Sequence, residues 1–244
     1  MDKLIFTAAT GADRLMRAQQ VHANNLANLD TAGFRASMQN AGNVELGGFG
    51  YDDRHLSTLQ ADSVSTRAGT VRETGRALDV AIGGQGYLAV QYGDGDGEAY
   101  TRSGEIEIGA DGALSVHGQP LLGEGGPIVL PQHTAVEIAT DGTISVLTEG
   151  ALQMQVVDRL RLVNAEGAEL TKNEAGLIVP RAGGTLAVDP NVQVRPRALE
   201  GSNVSAVEEM VATMSLNRSF EIQVKLFQAS DKMNEAGNRL MGGA

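Results

Sequence analysis

The stretch NNLANLDTAGFR, Asn24–Arg35, ends an amphipathic N-terminal segment and decides how the rest of the chain is interpreted. It places Asn24, Asn25 and Asn28 close together and then ends in Thr-Ala-Gly-Phe. Asparagine is a poor helix former because its amide competes for backbone hydrogen bonds. The cluster therefore indicates either a frayed polar helix end or amides that bond neighbouring backbone at a tightly packed junction. The sequence leaves both interpretations open.

The Thr-Ala-Gly-Phe segment ends the helix and redirects the chain. Gly33 suits the left-handed conformation that closes a helix, with Phe34 folded back on Leu29. Alternatively, Thr31 to Phe34 form a type II turn with Gly33 at the third position. Both alternatives stay open at this point.

Upstream of this stretch, residues 3–30 are predicted to form a helix. Apolar and small residues recur there at alternating steps of three and four, which is typical of a heptad-like seam. The seam positions are Ile5, Ala8, Ala12, Leu15, Gln19, His22, Leu26 and Leu29.

At the other end of the chain, residues 204–240 are predicted to form a second helix. Ser205 and Glu208 match a capping box, which would start it. Phe220, Val224 and Phe227 lie on a second apolar face. The main stripe consists of Val207, Val211, Met214, Arg218, Ile222, Leu226, Ala229, Met233, Ala236 and Leu240.

The region between the helices carries a different pattern. Residues 36–76 are polar and glycine-rich, and we expect an extended linker there. Residues 77–198 hold short runs of β-branched and aromatic residues, with Asp-Gly hairpin signals at 111–112 and 141–142. The predicted class is α+β, with terminal helices (in 1–35 and 199–244) paired in a coiled-coil-like domain and a central all-β domain.

The helix lengths predict an assembly interface. At 1.5 Å per residue the two helices span roughly 40 Å and 55 Å, whereas a domain of about 120 residues has a radius of gyration near 14 Å. The β domain is too small to cover both helices, so they must pair and still leave apolar surface exposed. The expected interface residues are Ile5, Leu15, Leu26, Leu29, Val207, Val211, Met214, Ile222, Leu226, Met233 and Leu240.

The composition argues against several classes of protein. The 244-residue chain has a formal net charge of −11 and no cysteine. Such a surface repels nucleic-acid phosphates and anionic lipid, so we expect neither nucleic acid nor a membrane surface as a partner. Disulfides and cysteine metal sites are ruled out. The first residues do not follow a Sec signal pattern, and no segment has the roughly 20 apolar residues of a membrane span.

No catalytic, metal or cofactor-binding residue is predicted. His22, His55, His117 and His133 lack metal-ligand spacing, and the GGQGY segment (83–87) is predicted to be a turn because no helix follows it. Residues 94–105 resemble a calcium loop but have alanine where glycine is required. Two alternatives stay open. One is a peptidoglycan-acting enzyme, which only the large number of carboxylates supports, and the other is a dimeric adaptor.

The residues resemble the bacterial flagellar rod and hook proteins. LDVAIGGQGYLAV (78–90) and YTRSGEIEIGADGALSVHGQPLLG (100–123) are similar to β-domain segments of that family, and LEGSNVSAVEEMVATMSLNRSFEIQVKLFQASDKM (199–233) is similar to its C-terminal helix. The matches occur in family order and cover most of the chain, with 36–70 the least clear. The family-motif positions in the opening stretch are Asn25, Leu26, Ala27, Asn28, Thr31, Gly33 and Phe34.

The resemblance implies a structural subunit of the flagellar rod, the drive shaft that transmits torque from rotor to hook and encloses the export channel. It implies that copies of the chain and other rod proteins are partners, with the type III export apparatus delivering the chain to the periplasm. Leu4, Ile5 and Phe6 are expected export contacts or seam residues. The Gly-Phe-Arg-Ala-Ser segment is closest to proximal-rod members, and distal-rod members, with lysine after phenylalanine, are the alternative.

Overall fold

Long helices open and close the chain in the computed structural model, which describes residues 2–45, 55–93 and 97–242. Helix α1 spans Asp2–Ala27 and helix α2 spans Ala206–Gly242. Short strands fill the sequence between them, and their pairings are antiparallel wherever a register is defined. The predicted α+β class is confirmed.

The described residues form two compact units, and each is described by itself. The helical unit contains residues 2–27, 37–45, 55–62 and 205–242, and the β unit contains residues 28–36, 63–93 and 97–204. The β unit thus includes 63–76 and 199–204, which the sequence assigned to the linker and to the C-terminal helical segment. The domain boundaries drawn from the sequence stay predictions.

In the helical unit, α1 and α2 pack against each other in an antiparallel pair. His22, near the end of α1, contacts Glu209 near the start of α2. Gly11, earlier in α1, faces Gln223, later in α2, and a Cβ at position 11 would lie 3.2 Å from the Gln223 Nε2 atom. A glycine at this point therefore lets the helices approach closely.

The helix ends differ slightly from the predicted ones. Helix α1 ends at Ala27, three residues before the predicted end, because residues 28–33 form turns instead. Helix α2 begins at Ala206 rather than 204, directly after its cap. The Ser205 Oγ accepts the Glu208 N–H at 3.4 Å, which is the expected cap on the first turn.

Two strands occupy part of the region expected to be a linker. Strand β1 spans Ser37–Glu45 and strand β2 spans His55–Val64, and they pair as a two-stranded sheet. Their sequences, SMQNAGNVE and HLSTLQADSV, lack a regular apolar alternation. The ribbon is held by main-chain hydrogen bonds, which leave no side-chain signal in the sequence.

The β unit consists of short strands and one 3-10 helix, Gly167–Glu169. The strands are β3 Val71–Glu73, β4 Val80–Gly83, β5 Tyr87–Tyr92, β6 Gly97–Thr101, β7 Ile106–Ile108, β8 Leu114–Val116, β9 Gln119–Pro120, β10 Leu122–Gly123, β11 Gly126–Pro127, β12 Ala135–Ile138, β13 Thr143–Leu147, β14 Gln155–Arg159, β15 Leu162–Val163, β16 Leu170–Lys172, β17 Ile178–Pro180, β18 Gln193–Pro196 and β19 Ala198–Glu200.

These strands form several small sheets around two apolar clusters. One sheet has the order β15-β5-β6-β17-β16, two others are β7-β8-β9 and β12-β13-β14, and three ribbons pair β10 with β11, β18 with β4 and β19 with β3. The larger apolar cluster includes Leu88, Ile106, Leu114 and Ile144, each with no exposed surface. Pairings β18-β4 and β19-β3 bring the end of the unit's sequence back beside its beginning.

The two Asp-Gly turns close hairpins as predicted. Only the glycine of each pair has positive φ, 84° at Gly112 and 86° at Gly142. In each turn the aspartate Oδ1 accepts the backbone N–H two residues further on at 3.1 Å. Each glycine carbonyl also accepts the N–H eighteen residues later, at 2.8 Å and 2.9 Å. Segments 109–130 and 139–160 therefore repeat one local structure.

Candidate assembly surface and motif junction

The sides of α1 and α2 that are least exposed are rich in small and polar residues. Gly11 and Ala18 on α1, with Ser219 and Ser230 on α2, are examples. Small side chains let two helix backbones approach, and the three-and-four spacing keeps them on one side. The less exposed positions that follow the three-and-four spacing are Ala8, Gly11, Leu15, Ala18, His22 and Asn25 on α1, and Glu209, Thr213, Leu216, Ser219, Gln223, Phe227, Ser230, Asn234 and Gly237 on α2.

The apolar stripe of α2, which we call the outer stripe, remains exposed to solvent. Its described members are Val207, Val211, Met214, Ile222, Leu226 and Met233, with exposed fractions between 44% at Leu226 and 71% at Val207. A stripe of this extent along one helix is typical of an interface with another molecule.

The other predicted interface residues lie in different surroundings. Leu15, Leu26 and Leu29 are partly buried. Gln19, which the sequence placed on the seam, is exposed, because Ala18 and His22 occupy the less exposed side instead. The side chains of Ile5 and Leu240 lie outside the described ones.

Asn25 links the end of α1 to β1 and α2. Its side chain is 2% exposed. The Asn25 Oδ1 accepts the Ser37 N–H at 2.9 Å, and the Asn25 Nδ2 donates to the Ser37 carbonyl at 3.1 Å and to the Glu209 Oε1 at 3.1 Å. The other Glu209 oxygen contacts the His22 Nδ1. This amide is therefore held at a packed junction, whereas the Asn24 side chain is exposed.

The next motif residues form the turn that redirects the chain within the β unit. The Thr31 hydroxyl donates to the Asn28 Oδ1 at 3.2 Å, and the Phe34 N–H donates to the Thr31 carbonyl at 3.2 Å. Gly33 occupies the third position with a φ of 67°. The turn alternative is confirmed, and the helix-cap alternative is wrong because α1 ends at Ala27.

Gly33 fits against two backbone segments from distant parts of the sequence. Its N–H donates to the Glu200 carbonyl at 2.7 Å. A Cβ at this position would lie 2.2 Å from the Arg102 carbonyl carbon and 2.2 Å from the Ser103 nitrogen. Both the positive φ and the lack of space therefore require glycine here.

The buried Glu200 carboxylate pairs with two buried arginines, Arg35 and Arg102. The Glu200 Oε1 lies 2.9 Å from the Arg35 Nη2 and accepts the Gly69 N–H at 2.7 Å, and its Oε2 lies 2.7 Å from the Arg102 Nη2. All three charged side chains are at most 3% exposed. Burial lowers the pKa of Arg35 and repulsion from Arg102 adds to this, while Glu200 opposes both.

Arg102 also organises the GGQGY segment, which is a turn as predicted. Its guanidinium donates to the carbonyls of Gly86 at 2.7 Å and Gly84 at 2.9 Å and lies 5.9 Å from the Tyr87 ring centre. Burial raises the pKa of Tyr87, and the neighbouring arginines oppose that shift.

Two further polar residues hold residues 34–36, which follow the motif turn. The Asn203 Oδ1 accepts the Ala36 N–H at 2.7 Å, and its Nδ2 donates to the Arg67 carbonyl at 2.8 Å. The Lys172 ammonium donates to the Arg35 carbonyl at 2.6 Å and lies 3.7 Å from the Phe34 ring centre, so Phe34 packs against this lysine. Burial lowers the pKa of Lys172 to about 8.

Sequence reasoning missed Arg102, Lys172, Glu200 and Asn203. In the sequence they are indistinguishable from ordinary surface residues, because their burial depends on partners up to 167 residues away. A buried cluster of this kind requires every donor and acceptor to be matched in space, and spacing along the chain does not encode that.

Among the described residues, no group of three or more His, Cys, Asp or Glu side chains is placed to hold a metal ion, and no helix is long and apolar enough to cross a bilayer. Part of the calcium-like loop, 94–96, lies outside the described residues. Phe6 is 45% exposed, and the Leu4 and Ile5 side chains lie outside the described ones.

Paired terminal helices with an exposed outer stripe, joined to a unit of short strands, indicate the class of structural subunits that keep an apolar surface for other molecules. Three family models match the chain. They describe a flagella basal body rod protein (residues 5–35), a flagellar hook protein FlgE/F/G D1 domain (81–146) and the C-terminal part of the flagellar basal body rod FlgEFG proteins (195–240).

Full-length relatives agree with the family models. The flagellar basal-body rod protein FlgF of Salmonella typhimurium strain LT2 is 39% identical and that of Escherichia coli K12 is 38% identical, each over 99% of both chains. A flagellar basal-body rod protein FlgG from Caulobacter vibrioides is 29% identical over 96% of this chain and 97% of its own. The chain therefore belongs to the flagellar basal-body rod protein family and is FlgF-like within it.

Proposed function

We propose that the chain is a structural subunit of the proximal rod of the flagellar basal body, where copies of it and other rod proteins form the drive shaft. The observation that carries this proposal is similarity along the whole chain to FlgF proteins, at higher identity than to the FlgG relative. That difference favours the proximal over the distal rod. The role is mechanical rather than enzymatic.

The outer stripe supplies the proposed contact with neighbouring subunits. Its residues on α2 remain exposed after α1 has packed, so their burial is left for assembly. Full burial of one Val, Leu, Ile or Met side chain yields about 1.5–3 kcal/mol. Several such residues on each subunit give a large and stiff interface. Contacts between two different patches build an open helical array rather than a closed ring.

We also propose a route for the chain. Family resemblance supports export by the type III apparatus to the periplasm, and in this proposal Phe6 and its neighbours are the export contacts. The exposed ring of Phe6 supports an apolar contact at this position. The motif turn and the cluster around Glu200 would then form after export, because Gly33 and Glu200 are far apart in sequence and meet only when the β unit folds.

The test is to replace Ile222 and Leu226 together by serine, with the exposed neighbours Glu221 and Lys225 replaced by serine as the matched control. We expect the stripe variant to be exported at the normal level but to be depleted about tenfold or more from isolated basal bodies, with loss of swimming. The control should be incorporated normally. Normal incorporation of the stripe variant would refute the interface, and absence of the unmodified chain from basal bodies would refute the rod assignment.

A further inference from the structure

The charge of the β unit is divided unequally along the sequence. Residues 103–158 contain no lysine or arginine. We call this segment the acidic segment. It carries eight carboxylates, Glu105, Glu107, Asp111, Glu124, Glu137, Asp141, Glu149 and Asp158.

Elsewhere in the same unit, exposed arginines are concentrated on a narrow strip. We call it the arginine surface, and its members are Arg67, Arg72, Arg76, Arg195 and Arg197, all exposed. The backbone segments that carry four of them are neighbours, because β3, which holds Arg72, pairs with β19, and the Thr74 N–H donates to the Arg197 carbonyl at 2.9 Å. Arg195 contacts Glu73 at the end of β3, and Arg76 follows three residues later. A dense basic strip is unexpected on a chain with a net charge of −11.

The arginine surface keeps positive charge after its internal ion pairs are formed. Arg195 pairs with Glu73, and Arg76 lies 2.9 Å from an Asp79 oxygen and 4.0 Å from a Glu105 oxygen of the acidic segment in the same chain. Among the residues that the structure describes, neither Arg72 nor Arg197 has an ion-pair partner. Their guanidinium groups are therefore available to carboxylates from another molecule.

The backbone at Arg197 adds a second observation. Its φ is 58°, in the left-handed region that L side chains adopt only at a cost relative to glycine. The conformation is held by its N–H donating to the Asp79 carbonyl at 2.7 Å and by its carbonyl accepting the Thr74 N–H at 2.9 Å. Glycine would adopt this conformation without strain. An arginine at this position therefore indicates that its side chain has a role here.

We propose that the arginine surface binds the acidic segment of a neighbouring copy of this chain in the rod. The occupant follows from charge complementarity, since one chain carries both an exposed cationic strip and a segment free of cations. The contact joins two different patches, so it propagates along a helix instead of closing a dimer. It rests on the proposed function, because it requires copies packed side by side.

The contact sets the register between subunits more than it drives assembly. Copies with a net charge of −11 repel on average, so only an arrangement that aligns the two patches removes that repulsion locally. Glu107 on β7 and Glu137 on β12 are exposed carboxylates in the acidic segment. Asp111 and Asp141 stand at the tips of the repeated hairpins and add charge to the same segment.

Cross-linking tests the contact directly, because the chain has no cysteine of its own. Full-length Arg72→Cys chains carrying in addition Glu107→Cys, Glu137→Cys or Glu149→Cys are incorporated into basal bodies and treated with a short bis-maleimide. We expect dimers and longer ladders from at least one double variant and none from the single variants. Dimers from Arg72→Cys alone would overturn the proposal, because two arginine surfaces would then face each other. Absence of any ladder would overturn it too.

Charge exchange gives an independent readout. Arg72→Glu with Arg197→Glu should lower the number of copies per basal body about tenfold, since close charge pairs across interfaces couple by about 1.5 kcal/mol or more. Adding Glu107→Lys and Glu137→Lys on the same chain should restore it. Exported protein and circular dichroism of the free chain should be unchanged, so that folding and export are controlled.

A matched control separates the local contact from net charge. Arg181→Glu with Glu166→Lys changes exposed residues outside both patches and should have no effect on copy number. If the arginine variants are incorporated normally but lose binding to purified cell-wall sacculi, the surface serves an acidic polymer and the proposal is wrong. If the unmodified chain is absent from basal bodies, the proposed function itself is wrong. That result differs from failure of the contact alone, in which the unmodified chain is present but no cross-linked ladder forms.

Discussion

Replacement of Gly33 by alanine should destabilise the β unit by about 2–5 kcal/mol. Two costs add. The φ of 67° is unfavourable for alanine by roughly 1–2 kcal/mol. The new Cβ would lie 2.2 Å from the Arg102 carbonyl carbon and the Ser103 nitrogen, so the backbone must move, and overpacking of this kind costs typically about 1–3 kcal/mol.

Gly75→Ala is the matched control for this prediction. Gly75 also has a positive φ, 78°, but a Cβ there would meet nothing within 4 Å. The control should therefore lose only the roughly 1–2 kcal/mol of the backbone conformation. The difference between the two variants isolates the close approach of Gly33 to the segment at Arg102.

The assay is urea unfolding of the full chain followed by circular dichroism, with both variants measured beside the unmodified protein. We expect Gly33→Ala to lower the free energy of unfolding by about 1–3 kcal/mol more than Gly75→Ala does. Equal losses in the two variants would refute the reasoning, since the turn would then have room for a side chain. Loss of incorporation into basal bodies should accompany only the Gly33 variant.

Four further results are expected from Glu200, Lys172 and Asn25. Glu200→Gln leaves the two buried arginines without their counter-charge and should cost about 3–5 kcal/mol in urea unfolding, against a near-zero change for the exposed Glu169→Gln. The Lys172 ammonium, with its pKa lowered to about 8, should titrate near pH 8 in the carbon-13 spectrum of methylated lysines, and Lys172→Met should remove that signal. Between about pH 8 and the ordinary pKa of 10.5, the unfolded chain binds this proton and the folded chain does not. The free energy of unfolding should therefore rise with pH across that window, and Lys172→Met should abolish the rise. Asn25→Leu removes two hydrogen bonds to the Ser37 backbone and should lower the free energy of unfolding by about 1–3 kcal/mol. Asn24→Leu, at an exposed position, should cost less. Equal costs in the two variants would contradict the view that the Asn25 amide is held at a packed junction.

The sequence identifies the terminal helices because their apolar positions follow the helical period. It also identifies Gly33 as the residue at which the chain is redirected, because only glycine adopts a positive φ at no cost, although it left a helix cap and a turn open. Both are local signals. The hairpins at 111–112 and 141–142 were found for the same reason, although only one residue of each pair takes positive φ.

Long-range partners could not be predicted. Glu200 is buried only because Arg35 and Arg102 approach it from sites 165 and 98 residues away in the sequence, and nothing near it in the sequence marks that. Strands β1 and β2 were missed because backbone pairing without an apolar face leaves no alternation to detect. The stripe on α2 was recognised, but the structure was needed to show that the less exposed side of this helix is largely small and polar.

The family resemblance and the physical reading of the residues support each other at the motif. The resemblance identifies Asn25, Thr31 and Gly33 as motif positions, and the structure gives each a defined bond or conformation. The motif therefore contains a buried amide that holds the end of α1 in the helical unit and a left-handed glycine that forms the turn in the β unit. Its role in assembly remains a prediction for the experiments above.

The most direct test of the central claim is the accessibility of the outer stripe in the assembled rod. Met214→Cys and, as a control, the fully exposed Leu152→Cys introduce single thiols into a cysteine-free chain. We predict that a maleimide reagent labels both thiols in the free chain, but that in isolated basal bodies the thiol at position 214 is protected at least tenfold. Equal labelling of the thiol at 214 in the free chain and in basal bodies would contradict the account.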